Sequence, residues 1–242
     1  MKKSTEHNGL IFGKNPVKEA LRAKRVNKVY ILPNFSDKEI NQLFQEFKPV
    51  IRVVNQGELT SLTNGGVHQG IAAEIKPYEY LDLDEIIRRS RKEEVPVIVI
   101  LDGINDTHNL GAILRCCDVF NVAGVLISKH NQVPLNATVA KSSAGAINYV
   151  PVAQIGSINQ TIQKLKDNGF WIVSTDGSAT LDYSKIKYDF PVALVVGSEG
   201  NGVSQLVIKN SDYVVKIPQF GHVNSLNASV ACGILLSRIR AN

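Results

Sequence analysis

Hydrophobic positions in the first third of the chain alternate between helical and extended spacing. GKNPVKEALRAK predicts a helix, with Asn15 as its N-cap and Pro16 in the first helical position. DKEINQLFQEFK predicts a second helix, because its apolar residues recur every three or four positions. Together with short apolar runs between these patterns, this indicates a small α/β unit that ends near Ile75. The predicted strands are KVYILPN, VIRVV and GIAAEI, and QGELTSLT is a short helix.

A regular alternation of apolar runs and helical patterns extends from residue 95 to the end of the chain. The runs are almost continuously apolar, which predicts a parallel sheet with helices covering both faces. Residues 77–94, just before, predict a connector and then a charged, exposed helix. The predicted strands are PVIVILD, GVLIS, YVPVAQ, WIVSTD, ALVVG and YVVKIP, and the predicted helices are HNLGAILRCCDVF, TVAKSSAGA, INQTIQKLKDN, SQLVIKN and NASVACGILLSRIR.

The composition is typical of a globular protein, and the distribution of charge indicates what kind of partner the chain could bind. Of its 242 residues, 44% are hydrophobic and 20% charged, which predicts a packed core. The longest apolar run, VPVIVIL, is too short to span a membrane. Residues 1–30 carry eight Lys/Arg and two Glu, a charge of +6, whereas the remaining residues sum to −1, so the net charge of the chain is +5. Such a segment favours a polyanion as partner, although a solvated helix face explains the charge equally well.

Cysteine and histidine spacing predicts neither a disulfide framework nor a metal site. Cys116 and Cys117 are adjacent and Cys232 is remote, which fits no zinc ligand pattern. Small buried thiols in a reducing cytoplasm agree with this spacing. The five histidines are scattered and include no H-x-x-x-H pair. We therefore expect a cytoplasmic protein without a metal.

The stretch ALVVGSEGNGVS combines three glycines with the carboxylate of Glu199. The glycine order is G-x-x-G-x-G, and only forty residues follow Gly202, so a dinucleotide-binding fingerprint is excluded. A P-loop needs Gly-Lys-Ser/Thr, which is absent. Taken alone, the stretch predicts a glycine-rich turn with Ser204 as the N-cap of the next helix.

Two further strand ends carry more polar residues than a turn needs. In LDGINDTHNLGAILR, the residues Asn109, Gly111 and Arg115 surround a helix start. In KIPQFGHVNSLNASVACGILL, four polar residues crowd the start of the last helix, which is more than a cap uses. Ligands of open α/β sheets bind beyond the carboxyl ends of strands, so the three segments predict one shared site. The four residues are Asn224, Ser225, Asn227 and Ser229.

The three segments correspond to the stretches NLGAILR, ALVVGSEGNGVS and VKIPQFGHVNSLNASVACGILL. In sequence, order and spacing, these stretches resemble the three signature motifs of the SpoU (TrmH) class of RNA ribose 2′-O-methyltransferases, in the SPOUT superfamily. IFGKNPVKEAL and GVHQGIAA are similar to parts of the ribosomal-protein-like RNA-binding domain of bacterial 23S rRNA (guanosine-2′-O)-methyltransferases. The resemblance implies an α/β fold, in which a C-terminal SPOUT domain has a parallel sheet and a deep trefoil knot. It implies an RNA substrate-binding domain at 1–76, a linker at 77–94 and a methyltransferase domain at 95–242.

The same resemblance implies the activity and the partners. The expected reaction transfers a methyl group from S-adenosylmethionine to the ribose 2′-OH of a guanosine in 23S rRNA. The alternatives are a tRNA ribose 2′-O-methyltransferase and a non-catalytic RNA-binding module on the same fold. A homodimer through the C-terminal domain is also implied, with RNA as partner and with neither a membrane nor a metal involved.

Matching positions in the three motifs imply catalytic roles for Asn109, Arg115, Glu199, Ser225 and Asn227. The general base stays open, because an arginine is normally always protonated and Glu199 is the other candidate. Glu199 is expected to pair with Arg115 or with Asn227. The cofactor-binding positions implied by the resemblance are Thr175, Val196, Gly197, Ile217, Pro218 and Leu226.

Overall fold

The computed structural model describes residues 9–130, 132–222 and 225–241. The chain forms two compact units. The first contains the residues up to Tyr78 and the segment Pro134–Tyr149, and the second contains Glu79–Val133 and the residues from Val150 onwards. The segment Pro134–Tyr149 thus lies in the stretch predicted as one domain but packs with the first unit. Of the helices in the described part of the chain, none combines the length and hydropathy needed to cross a bilayer.

Strands and helices alternate along most of the chain. The strands are β1 (Leu10–Phe12), β2 (Val26–Ile31), β3 (Val50–Val53), β4 (Ile71–Ile75), β5 (Val97–Asp102), β6 (Gly124–Ser128), β7 (Val152–Ile155), β8 (Trp171–Thr175), β9 (Leu181–Asp182), β10 (Val192–Gly197) and β11 (Tyr213–Lys216). The helices are α1 (Lys14–Arg22), α2 (Lys38–Phe47), α3 (Gln56–Leu62), α4 (Leu83–Ser90), α5 (Thr107–Val119), α6 (Ala137–Ser142), α7 (Ile158–Asp167), α8 (Gln205–Lys209) and α9 (Ala228–Arg240).

The first unit is built on a four-stranded mixed sheet in the order β1-β4-β2-β3. Strands β2 and β3 are parallel, and the other neighbours are antiparallel. Helix α1 begins two residues earlier than predicted, with Gly13 rather than Asn15 as its N-cap, so Pro16 is its third residue. Proline is tolerated there because the N–H groups of a first helical turn have no intrahelical acceptor.

The basic charge of α1 is largely neutralised by nearby carboxylates. Its lysines and its arginine form ion pairs with side chains of α1 itself and of α2 and its N-cap. The sequence left two interpretations of this charge open, and the pairs favour a solvated helix face over a free RNA-binding patch on α1. The pairs are Lys14–Asp37, Lys18–Glu39, Arg22–Glu19 and Arg22–Glu39.

The segment Pro134–Tyr149 is held on the first unit by close contacts. Helix α6 packs against β1, and the hydroxyl of Tyr149 donates a hydrogen bond to Glu19 Oε2 at 2.6 Å. Gly145 has φ 95° and lies so near α1 that a Cβ there would be 2.4 Å from Cβ of Glu19. A glycine is therefore required at this position, both for the backbone conformation and for the approach.

We expect Gly145→Ala to lower the free energy of unfolding by about 2 kcal/mol, because it adds backbone strain to a steric collision. Urea unfolding followed by circular dichroism measures this change. Gly156→Ala is the matched control, since a Cβ at Gly156 would meet no atom within 4 Å. Equal unfolding midpoints for the two variants would contradict the prediction.

The second unit is built on a seven-stranded sheet in the order β7-β6-β5-β10-β8-β11-β9. Every neighbouring pair is parallel, which confirms the predicted parallel sheet. All six strands predicted for this region are present, and the two-residue β9 is an addition. The order brings β5 beside β10, where Asp102 is the register partner of Gly197. The strand ends that precede the first and second motifs are therefore neighbours.

Helix α4 differs from the prediction of a charged, exposed helix. Its residues Ile86 and Ile87 are buried in the core of the second unit, where α4 packs against β6 and β7 at one side of the sheet. Its acidic and basic residues occupy the opposite side. The helix is therefore amphipathic, and its apolar side belongs to the second unit. The trefoil knot implied by the resemblance stays a prediction.

Candidate active site

The loop that follows β10 folds back onto the end of its own strand. Ser198 and Gly202 form an antiparallel bridge, and the N–H of Gly202 donates to the carbonyl of Ser198 at 2.9 Å. A Cβ at Gly197 would lie 2.1 Å from the carbonyl carbon of Gly202 and 2.3 Å from the nitrogen of Val203. Only a glycine fits at position 197, because both neighbours are backbone atoms that cannot rotate away.

This loop forms one wall of a cavity at the ends of β8, β10 and β11 and the start of α9. The cavity gathers residues from the second and third motifs. Pro218, although predicted with them, does not line it, and neither do Asn109, Arg115 and Asn227. The predicted residues that do line it are Thr175, Val196, Gly197, Glu199, Ile217, Ser225 and Leu226.

Sequence reasoning missed several lining residues that are chain neighbours of the predicted ones. Asp176 follows β8 directly, and Ser178 donates to Asp176 Oδ1 from both its hydroxyl and its N–H, each at 2.7 Å. These hydrogen bonds, the hydroxyl's first, hold the pKa of Asp176 below its usual value. The carboxylate of Asp176, which lines the cavity, is therefore ionised at neutral pH. The other missed residues include Ser198, Gln205, Lys216 and Gln219.

At the edge of the cavity, Glu199 joins the three motifs. Its Oε1 accepts hydrogen bonds from the side-chain amides of Asn109, at 3.0 Å, and of Asn227. The amide of Asn227 also donates to Asn109 Oδ1 at 2.8 Å. Of the two partners expected for Glu199, the structure therefore shows Asn227, together with Asn109. Within the described residues, no ion pair joins Glu199 to Arg115.

The local structure of two helix starts orients these amides. Asp106 caps α5, accepting from the N–H of His108 at 2.7 Å, which places Asn109 in the first turn. Asn227 caps α9, where its Oδ1 accepts from the N–H of Ser229 at 2.9 Å. Because the oxygen of Asn227 faces the helix, its nitrogen faces Glu199. Asn224 lies outside the described residues.

We expect Asn227→Ala to lower the free energy of unfolding by about 1–2 kcal/mol, because the N-cap of α9 is lost. Urea unfolding again provides the measurement. Ser229→Ala is the control, since it keeps the backbone N–H that Asn227 accepts and removes only the hydroxyl. If Ser229→Ala were as destabilising as Asn227→Ala, the capping role of the Asn227 side chain would be refuted.

Arg115 lies apart from the amide–carboxylate network. It is exposed on α5, and in the described part of the chain its guanidinium has neither a hydrogen bond nor an ion pair. Asn109 and Arg115 are six positions apart, so the two side chains do not share a helix face. The guanidinium is therefore available to an anionic ligand from outside the protein.

The cysteines do not belong to the site. Cys117 and Cys232 are buried, and all three cysteines are free thiols, as the sequence predicts. Burial and the hydrogen bond with Cys232 raise the pKa of Cys117 well above its usual value, so this thiol stays protonated at neutral pH. Among the described residues, no three His, Cys, Asp or Glu side chains are grouped closely enough to hold a metal ion.

A larger cavity, of about 650 Å³, lies elsewhere in the second unit, between α4 and the start of α7. Its charged side chains are largely partnered with one another. Lys164 pairs with Asp84 at 2.6 Å, and Arg88 pairs with Glu85 at 2.7 Å. These pairs leave little unpaired charge for a ligand. The cavity beside the β10 loop is the better candidate, because the three motifs converge there.

Comparison with known proteins finds two family matches in this chain. Residues 96–237 match the SpoU rRNA Methylase family, and residues 10–81 match the RNA 2′-O ribose methyltransferase substrate binding family. A Staphylococcus aureus protein assigned to the TrmH family of tRNA/rRNA methyltransferases is 42% identical over 235 residues, which cover 95% of this chain and 94% of that protein. A Staphylococcus haemolyticus protein with the same description is 43% identical over the same shares of the two chains.

Among solved structures, the SpoU methyltransferase AviRb from Streptomyces viridochromogenes, in complex with AdoMet, has a TM-score of 0.81. It is 22% identical and covers 96% of this chain and 89% of its own. At this identity the likeness concerns the fold. The family match over residues 96–237 includes all three motifs and the cavity that the second and third motifs line. The chain therefore belongs to the SpoU rRNA methylase family, within the SpoU/TrmH class of RNA methyltransferases.

Proposed function

We propose that this protein transfers a methyl group from S-adenosylmethionine to the ribose 2′-hydroxyl of a guanosine in 23S rRNA. The observation that carries the proposal is the network of Glu199, Asn109 and Asn227, which joins the three motifs at the edge of one cavity. The match of residues 10–81 to an RNA substrate-binding family supports RNA as the partner. The presence of this front domain favours ribosomal RNA over the alternative, tRNA.

The chemistry of the cavity fits S-adenosylmethionine, which supplies an electrophilic methyl group on a positively charged sulfur. Two carboxylates, Asp176 and Glu199, line the cavity and complement a cation. Gly197, Ile217 and Leu226 line it as well, and their backbone groups are suited to hold an adenosyl group. The AdoMet bound in AviRb, whose fold this chain shares, supports the same ligand.

The side chains around the cavity have separate roles in binding the RNA, accepting the proton and orienting the ribose hydroxyl. The free guanidinium of Arg115 holds a phosphate beside the target ribose with its planar fork. Two amide donors occupy Glu199 Oε1, and no described residue donates to Oε2. We assign the proton of the ribose hydroxyl to this Oε2, because a guanidinium remains protonated and cannot accept it. Ser225, exposed at the cavity wall, orients the same hydroxyl.

A homodimer through the second unit is part of this proposal. Val119 on α5 and Val230 on α9 are exposed apolar side chains, and these two helices pack against each other. A partner subunit would cover the two valines. As an RNA-modifying enzyme, the protein would act in the cytoplasm.

The test compares 2′-O-methyl sites in total RNA from cells with and without the gene. We expect one guanosine of 23S rRNA to lose its methyl group, and the wild-type gene to restore it. The gene carrying Glu199→Gln is the control, because the glutamine oxygen still accepts both amides while the proton acceptor is lost. A methyl site lost from tRNA would support the alternative substrate. An unchanged map would favour a non-catalytic RNA-binding module.

A further inference from the structure

Phe220 is the most exposed of the large hydrophobic side chains in the described part of the chain, with 97% of its surface accessible. It lies in the segment Gln219–His222, all four residues of which are exposed. Isolated aliphatic residues on a surface are ordinary, but an aromatic ring almost wholly in water is a strong candidate for a binding contact.

The segment Gln219–His222 borders the candidate active site. Gln219 lines the cavity, as does Ile217 before it, and Ser225 and Leu226 line it on the other side of the segment. Phe220 therefore stands at the rim, between two stretches of chain that contact the ligand space. A group bound in the cavity and extending outwards passes close to this ring.

The surroundings of the ring are open. A Cβ at Gly221 would meet no atom within 4 Å, and no described aromatic residue or cation packs on the Phe220 ring. His222, two positions further on, is exposed as well and offers a second flat ring. The segment therefore presents aromatic surface that the rest of its own unit does not cover.

We propose that Phe220 stacks on a nucleobase of the RNA substrate, at or beside the nucleotide whose ribose enters the cavity. This inference rests on the proposed function. Proteins that recognise single-stranded RNA stack splayed-out bases on Phe, Tyr, Trp or His rings. A ribose held at the cavity places its own base, or that of the next nucleotide, just outside the rim where Phe220 lies. The experiments below distinguish base stacking from the other possible contact of Phe220, which is with a second copy of this chain.

The first experiment measures methyl transfer to unmodified 23S rRNA transcribed in vitro. Phe220→Ala should raise KM about 5- to 150-fold, the effect of removing one base–aromatic stack. Phe220→Trp should remain near the wild type, whereas Phe220→Leu should be nearly as impaired as Phe220→Ala, because leucine is apolar but has no π-face. Calorimetry should show unchanged S-adenosylmethionine affinity for all three, since Phe220 does not line the cavity.

A contact with a second subunit would give a different pattern. Leucine would then largely replace phenylalanine, and sedimentation would show that Phe220→Ala weakens a dimer. Either wild-type KM for Phe220→Leu, or a KM change that follows the loss of a dimer, would overturn the stacking proposal.

A second experiment does not depend on turnover. The wild-type protein bound to the same transcript is irradiated at 254 nm, and cross-linked peptides are identified by mass spectrometry. We expect a nucleotide attached to a peptide that contains Phe220. Cross-links confined to other peptides would overturn this inference even if methyl transfer proceeds. A cross-link at Phe220 without any methyl transfer would count against the proposed function instead.

Discussion

Gly197→Ala is expected to weaken cofactor binding by about 100-fold. The added Cβ would lie 2.1 Å from the carbonyl carbon of Gly202 and 2.3 Å from the nitrogen of Val203. These are backbone atoms, so either the end of β10 or the returning loop must move, and both line the cavity. If the loop must overcome an overpacking strain of about 3 kcal/mol to adopt its binding conformation, the affinity for the cofactor falls by about 100-fold.

Calorimetric titration with S-adenosylmethionine measures this loss. Gly200→Ala is the control, because it changes a glycine of the same loop at which a Cβ would meet no atom within 4 Å. Its affinity should stay within about twofold of the wild type, a difference of less than 1 kcal/mol. Tight binding by Gly197→Ala would mean that the strand end and the loop can separate without damage to the site.

Arg115→Lys is expected to lower the rate of methyl transfer by about 100-fold or more, while cofactor affinity stays unchanged. The guanidinium is exposed, has no partner among the described residues and does not line the cavity, so its effect should fall on the RNA. Lysine keeps the charge but loses the planar fork that grips a phosphate in two places. Losing one preorganised group that stabilises transition-state charge typically costs about this much.

Transfer of a tritiated methyl group to 23S rRNA provides the rate, and calorimetry provides the cofactor affinity. Arg88→Lys, another exposed arginine on a helix of the second unit, is the control and should leave both unchanged. A full methylation rate for Arg115→Lys would show that a point charge suffices. A fall in cofactor affinity would show that Arg115 acts on the cofactor rather than on the RNA.

Strong local patterns explain why most elements could be predicted. The six longer strands of the second unit are nearly unbroken apolar runs, and a run of that kind needs burial on both faces wherever it lies. Strands β1 and β9 were missed because three and two residues are too few to show a pattern. They exist only through pairing, β1 with β4 and β9 with β11.

The predictions that are wrong or were left open concern what surrounds a side chain in the folded protein. The charged residues around Ile86 and Ile87 suggest an exposed helix, but the two isoleucines meet the sheet of the second unit and are buried. The lysines of α1 suggest a free basic patch, but α2 brings carboxylates against them. In each case the partner is distant in the sequence, so composition alone could not reveal it.

For the candidate site, the sequence by itself determined which residues are candidates and that they follow strand ends, because motif spacing and apolar runs are properties of the chain. Only the tertiary structure decided how they meet. Glu199 bonds Asn109 and Asn227 rather than Arg115, because β5 lies beside β10 and the caps of α5 and α9 direct both amides to one oxygen. The need for glycine at position 197 is likewise decided by the tertiary structure. It arises because the loop after β10 brings the backbone of residues 202 and 203 against Gly197, and the local sequence does not indicate this contact.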